Sequence, residues 1–251
     1  MKAFNMEKCR LWLSTEEIKQ ESLQGATVVV IDVLLATTTL VTIMERGARR
    51  IFPVSSVEEA QQLKTKLDHS SVLTGGELGG QPVEGFDMAH LPDEYTPERI
   101  KDHDIVFLSS NGTRAIMKAK DADTLLLGNL RNAYAIADHI NRKAPEEVII
   151  ICAGSLGQFS LEDYVCANLI LSQLNVGNAH LNDAAVYARH QRFDPDHVAQ
   201  LVAQGRVGRN FGKLGLDELF EFVVDVGTSS SIVELHNGVE LGFTSIGGET
   251  K

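Results

Sequence analysis

Four stretches of this sequence place acids, hydroxyls and glycines directly after apolar runs, where a chain leaves the interior. The first is Asp32-Val33-Leu34-Leu35-Ala36-Thr37-Thr38-Thr39, which follows a run of Val and Ile. A carboxylate there is costly to desolvate unless it is paired or bound to a cation. Asp32 is therefore placed to ligate Mg²⁺, to act in acid–base chemistry, or simply to brace its loop. Thr37 and Thr38 open a helix, where hydroxyls and N–H groups can hold an oxyanion; alternatively Thr37 is an N-cap. The second stretch, Gly75-Gly76-Glu77-Leu78-Gly79-Gly80 continuing to Gly85-Phe86-Asp87, lets backbone approach a ligand closely and adds two acids. By composition it reads first as a surface excursion, a Gly-rich loop from Gly75 to Pro92 with solvated charges. The third, Ser109-Ser110-Asn111-Gly112-Thr113, offers successive N–H groups for an anion nest, or turn chemistry at Asn111-Gly112. The fourth runs from Ala153 through Gly154 and Ser155 to Ser160, Leu161, Glu162 and Asp163, ahead of a long helical pattern. Ser160 and Asp163 fit a capping box, which leaves Glu162 unexplained.

None of these stretches is a complete motif. Walker A, H-E-x-x-H and G-x-S-x-G are all absent, and the eight histidines form no pair at metal-ligand spacing. Cys9, Cys152 and Cys166 are scattered; Cys152 and Cys166 read as buried small hydrophobes, and nothing suggests a disulfide framework. Together, acids and hydroxyls at several strand ends favour a metal-assisted site for a small anion.

The elements that must carry these loops follow a strand–helix alternation. Strands are predicted at 26–31, 51–54, 72–74, 105–108, 124–127 and 148–152. Helices are predicted at 37–46, 57–67, 113–119, 132–141, 161–174, 184–190, 197–203 and 216–223. Ser56 and Glu59 form a capping box for the second of these helices. Residues 231–246 read as a hairpin around Asn237-Gly238. The implied fold is α/β, a layered α/β/α sandwich on a mostly parallel or mixed sheet, one composite domain over 1–251. A recurrence of apolar strand, polar loop and helix at 28–39, 106–115 and 149–163 fits an internal duplication or the ordinary grammar of α/β chains. The composition, 43% hydrophobic and 23% charged, suits a globular core, and the formal net charge of −11 argues against nucleic acid and anionic membrane as partners. With neither a signal-peptide pattern nor a bilayer-spanning run, a cytoplasmic location is expected. A homo-oligomer is compatible with the sequence.

Read in order, the loops resemble the 2-phosphosulfolactate phosphatase family. The matching pieces are Val30 to Leu34 with Ala36 to Thr39; Gly76-Glu77; Gly85-Phe86-Asp87; Pro92 with Glu94-Tyr95; Asn111-Gly112-Thr113; and Cys152-Ala153-Gly154 through Phe159 to Asp163. Asp183-Ala184-Ala185 and Gly208-Arg209 with Leu214-Gly215 match more loosely. The resemblance implies a layered α/β/α fold and Mg²⁺-dependent hydrolysis of an acidic phosphate ester in coenzyme M and sulfolactate metabolism. It makes Asp32, Glu77, Glu162 and Asp163 candidates for the metal-site acids, with Asp32, Glu162 and Asp163 also catalytic candidates. Thr37, Thr38, Asn111, Gly112, Thr113, Gly154, Ser155 and Arg209 become candidates for holding phosphate. The chain departs from the family pattern at Leu35 and Leu78, where Arg is expected, at Ala89-His90-Leu91, where Gly-Asn-Ser is expected, and at Gly227–Ser231. 2-Phosphosulfolactate carries a phosphate, a carboxylate and a sulfonate, so two missing cations matter unless others such as Arg114, Arg131 and Arg209 compensate. The alternative to an enzyme is a non-catalytic binder of small anions on the same scaffold.

Overall fold

Val- and Ile-rich runs buried on both faces form the middle of a sheet, as a continuously apolar strand requires. The computed structural model describes residues 6–67, 71–236 and 242–246. The strands are β1 (Lys8–Trp12), β2 (Ala26–Ile31), β3 (Arg50–Val54), β4 (Val72–Leu78), β5 (Gln81–Pro82), β6 (Asp104–Leu108), β7 (Thr124–Gly128), β8 (Glu147–Cys152), β9 (His180–Leu181), β10 (Ile232–His236) and β11 (Gly242–Ile246). The helices are α1 (Ala36–Glu45), α2 (Val57–Lys66), α3 (Pro97–Ile100), α4 (Gly112–Ala119), α5 (Ala133–Lys143), α6 (Leu161–Gln173), α7 (Asp183–His190), α8 (Val198–Ala203), α9 (Gly208–Leu214) and α10 (Asp217–Val224). None is long and apolar enough to cross a membrane, among the described residues.

Sheet order is β5-β4-β6-β3-β11-β10-β7-β2-β8-β1-β9. Strands β4, β6 and β3 are mutually parallel, as are β7, β2, β8, β1 and β9. Between the two sets lies the antiparallel hairpin β10–β11, which pairs antiparallel with β7 at Glu234–Leu126 and with β3 at Phe243–Ile51. Three successive reversals leave the two parallel sets running in opposite senses. The tip of this hairpin, Asn237-Gly238, lies outside the described residues.

The pleat sends alternate side chains to opposite layers. Val28, Val30, Ile149 and Ile151 pack with Leu40 and Ile43 of α1 and Ile116 of α4. Val29, Ile31, Ile150 and Cys152 pack with Ile136 and Ile140 of α5 and Val165 and Ile170 of α6. Phe52, Val54, Val106 and Leu108 form a third cluster with Ala60 of α2. Fully burying each of these larger side chains contributes roughly 1.5–3 kcal/mol. The layered α/β/α architecture is therefore present. All three cysteines are buried and free, and burial pushes the Cys9 thiol up to about 12.

Several local expectations change. The glycine-rich stretch begins as strand: Gly75, Gly76, Glu77 and Leu78 belong to β4. Gly75 suits a strand here because a Cβ would lie 2.0 Å from the Tyr95 hydroxyl. Thr37 is not an N-cap; the cap position of α1 is Leu35. Ser160 and Asp163 make no capping box, because Asp163 turns to two other loops. The Ser56 cap does form, accepting the Glu59 N–H at 3.1 Å.

Candidate functional site

The loops that leave β2, β4, β6 and β8 meet at one cleft of about 380 Å³, whose wall includes Asp32, Glu77, Ser110, Asn111 and Ser155. Because β4 and β6 belong to one parallel set and β2 and β8 to the other, both sets contribute to it.

Asp32 follows β2 directly and is buried. Burial raises its carboxyl from 3.8 to about 7, helped by the neighbouring charges of Glu162 and Glu77 and opposed by hydrogen bonds from the N–H groups of Ala36 and Gly112. Those two donors begin α1 and α4, so two helix N-termini converge on one carboxylate. Gly112 permits the approach: a Cβ there would lie 2.8 Å from Asp32 Oδ2 and 2.4 Å from the Ala36 Cβ.

Glu77 is held differently. Its Oε1 accepts the Ser110 N–H at 2.5 Å, and its Oε2 accepts the Gly80 N–H at 2.6 Å and the Ser110 hydroxyl at 3.0 Å. Glu162 is buried at the start of α6, and burial raises its carboxyl while its own N–H, Arg206 and the Ser160 hydroxyl oppose the shift. Asp163 is raised well above the usual carboxylate range by burial and by Asp32 and Glu162. Its Oδ1 accepts the Val33 N–H at 2.9 Å and its Oδ2 the Gly154 N–H at 3.1 Å, so it ties the loop after β2 to the loop after β8. Gly154 has φ +69 and a Cβ there would meet the Gln158 carbonyl at 2.6 Å, which keeps this turn open to glycine alone.

The threonines anchor backbone. Thr37 Oγ1 lies 2.8 Å from both the Asp32 and Gly128 carbonyls and accepts the Asp32 N–H at 2.9 Å. Thr38 donates to the Val33 carbonyl at 2.8 Å, and Thr113 donates to the Ser109 carbonyl at 2.7 Å. Among the phosphate candidates Asn111 and Ser155 reach the cleft wall; Thr37, Thr38, Gly112, Thr113, Gly154 and Arg209 lie outside it. Arg209 donates to the Gln204 carbonyl, Arg114 pairs with Glu16, and Arg131 stacks 3.9 Å over the Phe222 ring. Of the two leucines at expected arginine positions, Leu35 is on the wall, whereas Leu78 is off it and 59% exposed.

Two further wall residues are not among the site candidates, and of these His90 shows only within the Ala89-His90-Leu91 departure. Arg206 donates to the Ser155 carbonyl at 3.1 Å and faces Glu162 electrostatically. His90 Nδ1 is buried without a hydrogen-bond partner, and burial lowers the ring's pKa against the pull of Glu77 and Glu94.

Mg²⁺ prefers oxygen ligands and commonly takes one or two carboxylates, keeping waters or phosphate oxygens for the rest. No three His, Cys, Asp or Glu side chains among the described residues gather closely enough to cage a metal. Asp32, buried on the cleft wall and raised in part by the charges of Glu162 and Glu77, nevertheless fits an open site of this kind, since a divalent cation would offset that repulsion; Glu162, raised by burial, lies behind the wall as the second carboxylate.

Residues 12–238 match the family model described as 2-phosphosulpholactate phosphatase. A protein of Carboxydothermus hydrogenoformans named "Probable 2-phosphosulfolactate phosphatase" is 44% identical over 219 residues, covering 87% of this chain and 90% of that one. Proteins with the same name from Symbiobacterium thermophilum and Caldanaerobacter subterraneus subsp. tengcongensis are 38% and 34% identical, covering 83% and 88% of this chain and 90% and 92% of theirs. With its matched span running through all four strand-end loops, the chain belongs to the 2-phosphosulfolactate phosphatase family.

Proposed function

We propose that this protein is a cytoplasmic, Mg²⁺-dependent phosphatase acting on a small acidic phosphate monoester, the phosphate of a hydroxy acid. The observation that carries the reading is the buried Asp32 carboxylate between two helix N-termini, raised to about 7 beside Glu162 and Glu77. Such a group is unfavourable in a merely structural role and suits a site that receives a cation or passes a proton near neutral pH. Asp32 and Glu162 would hold Mg²⁺, which when bound supplies positive charge to phosphate oxygens. The N–H groups of Ala36 and Gly112 add the positive ends of α1 and α4. Ser155 and Asn111 on the wall orient the ester, and Arg206 attracts it. In the reaction, water adds to phosphorus and the ester P–O bond breaks. The leaving oxygen takes the bonding pair and a proton, giving the alcohol and inorganic phosphate.

The relatives' names make 2-phosphosulfolactate the first ester to assay. Phosphate release from a panel of phosphorylated hydroxy acids should require Mg²⁺, and Asp32→Asn should remove it together with calorimetrically measured Mg²⁺ binding. Undiminished release by Asp32→Asn, or full release in chelator, overturns the reading.

A further inference from the structure

The cleft is polar on one side and hydrocarbon on the other. Asp32, Glu77, Ser110 and Asn111 make the polar side. Leu35, Leu91, Phe211 and Leu216 make much of the rest, with Leu156 and Leu214 at its mouth. Those last two are 78% and 70% exposed, so their apolar surface is not spent on the core. Leu156 also has φ +54, a backbone conformation that disfavours a side chain with a β-carbon, and its N–H is fixed at 3.2 Å by Asn111 Oδ1. An exposed leucine held in that conformation at a cleft mouth asks for a role outside folding.

The charges on the wall agree. Among the described residues Arg206 is the one Lys or Arg lining the cleft, and it already faces Glu162 and the Ser155 carbonyl. His90 also lines the cleft, with burial favouring its neutral ring against the pull of Glu77 and Glu94, and its unpartnered Nδ1 can make a neutral hydrogen bond. With Mg²⁺ and the two helix N-termini assigned to the phosphate, an ester bearing a sulfonate and a carboxylate as well would place two strongly hydrated anions where one cationic side chain, Arg206, and much hydrocarbon await them.

Resting on the phosphatase reading above, we infer that the ester this cleft favours joins its phosphate to an apolar group, with at most one further negative charge and no sulfonate. The seat of that group is the leucine-rich wall, closed over at the mouth by Leu156 and Leu214.

A matched pair of esters tests this: 2-phosphosulfolactate and 2-phosphooxyhexanoate, which share the phosphate and carboxylate and differ in sulfomethyl against butyl. With Mg²⁺ present, kcat/KM should be at least about tenfold higher for the hexanoate ester. Leu214→Lys, at an exposed position, should leave the melting temperature in place and narrow that ratio several-fold. Faster turnover of 2-phosphosulfolactate by the natural chain overturns the inference and leaves the phosphatase reading standing. A ratio unchanged in Leu214→Lys overturns the seat assigned to the apolar group. Phosphate release from neither ester, nor from p-nitrophenyl phosphate, removes the phosphatase reading and this inference with it.

Discussion

Asp32, Glu162 and Asp163 are all buried acids, yet their hydrogen bonds divide their work. Both Asp163 oxygens are committed to backbone N–H groups of two different loops. An asparagine offers one acceptor there and turns an N–H₂ toward the second donor. Asp163→Asn should therefore cost about 1–3 kcal/mol in urea unfolding, more than the loss of a helix cap that Asn could replace. Glu162 has no such clamp, so Glu162→Gln should abolish phosphate release while the unfolding midpoint stays within error. The third acid, Asp32, accepts the N–H groups of Ala36 and Gly112 yet is still raised to about 7 by burial and two like-charged neighbours; with chelator present, Asp32→Asn exchanges one of those bonds for the loss of a disfavoured charge and should stay within about 1 kcal/mol of the natural chain. Equal losses of stability in all three variants would contradict this division.

At the scale of elements, β3 and β6 are joined at their starts by charge as well as by the ladder. Asp104 opens β6 opposite Arg50, and its oxygens accept from Arg49 at 2.8 and 2.7 Å and from Arg50 at 3.1 and 2.6 Å. Burial alone would raise this carboxyl, but the two guanidinium groups outweigh it and hold it below the usual range. The stability this provides is complete above the ordinary carboxylate pKa and is lost as pH falls through that range toward the lower folded value. The difference in melting temperature between the natural chain and Asp104→Asn should thus be largest near neutral pH and shrink below about pH 4. A difference constant from pH 7 to pH 3 would exclude the ion pairs as its source. Element type was largely legible because Val and Ile runs and helical periodicity are local properties. β1 escaped because Lys8 and Arg10 interrupt its apolar residues; the structure explains them, since Arg10 pairs with Glu147 of β8 at 2.5 Å. α9 escaped because Gly208 and Gly212 weaken its helical signal. The acids of the site were visible as strand-end residues. Arg206 was not, because only the packing of a distant segment brings it to the wall, and His90 showed only as a departure from the family pattern. The sequence also showed threonine hydroxyls without their partners, so Thr37, Thr38 and Thr113 resembled ligands until their carbonyl acceptors were located.

At the scale of the whole molecule, a hairpin late in the chain occupies the middle of the sheet. Without β10 and β11, the edges of β3 and β7 would present unpaired backbone, which invites pairing with other chains. Val233 of β10 is fully buried, so Val233→Asp places an uncompensated charge at that junction. It should cost about 3 kcal/mol or more and yield aggregated protein on expression, whereas Leu181→Asp, in β9 at the sheet margin, should remain soluble. Equal solubility of the two variants would show that the central position of the hairpin carries no special weight. The opposed senses of the two parallel sets have a mechanical corollary. The cleft draws Asp32 from one set and Glu77 from the other, and β10–β11 is the piece of sheet that fixes the spacing between those two sides. A change in that hairpin, with no residue on the cleft wall, can widen or narrow the cleft around a phosphate ester.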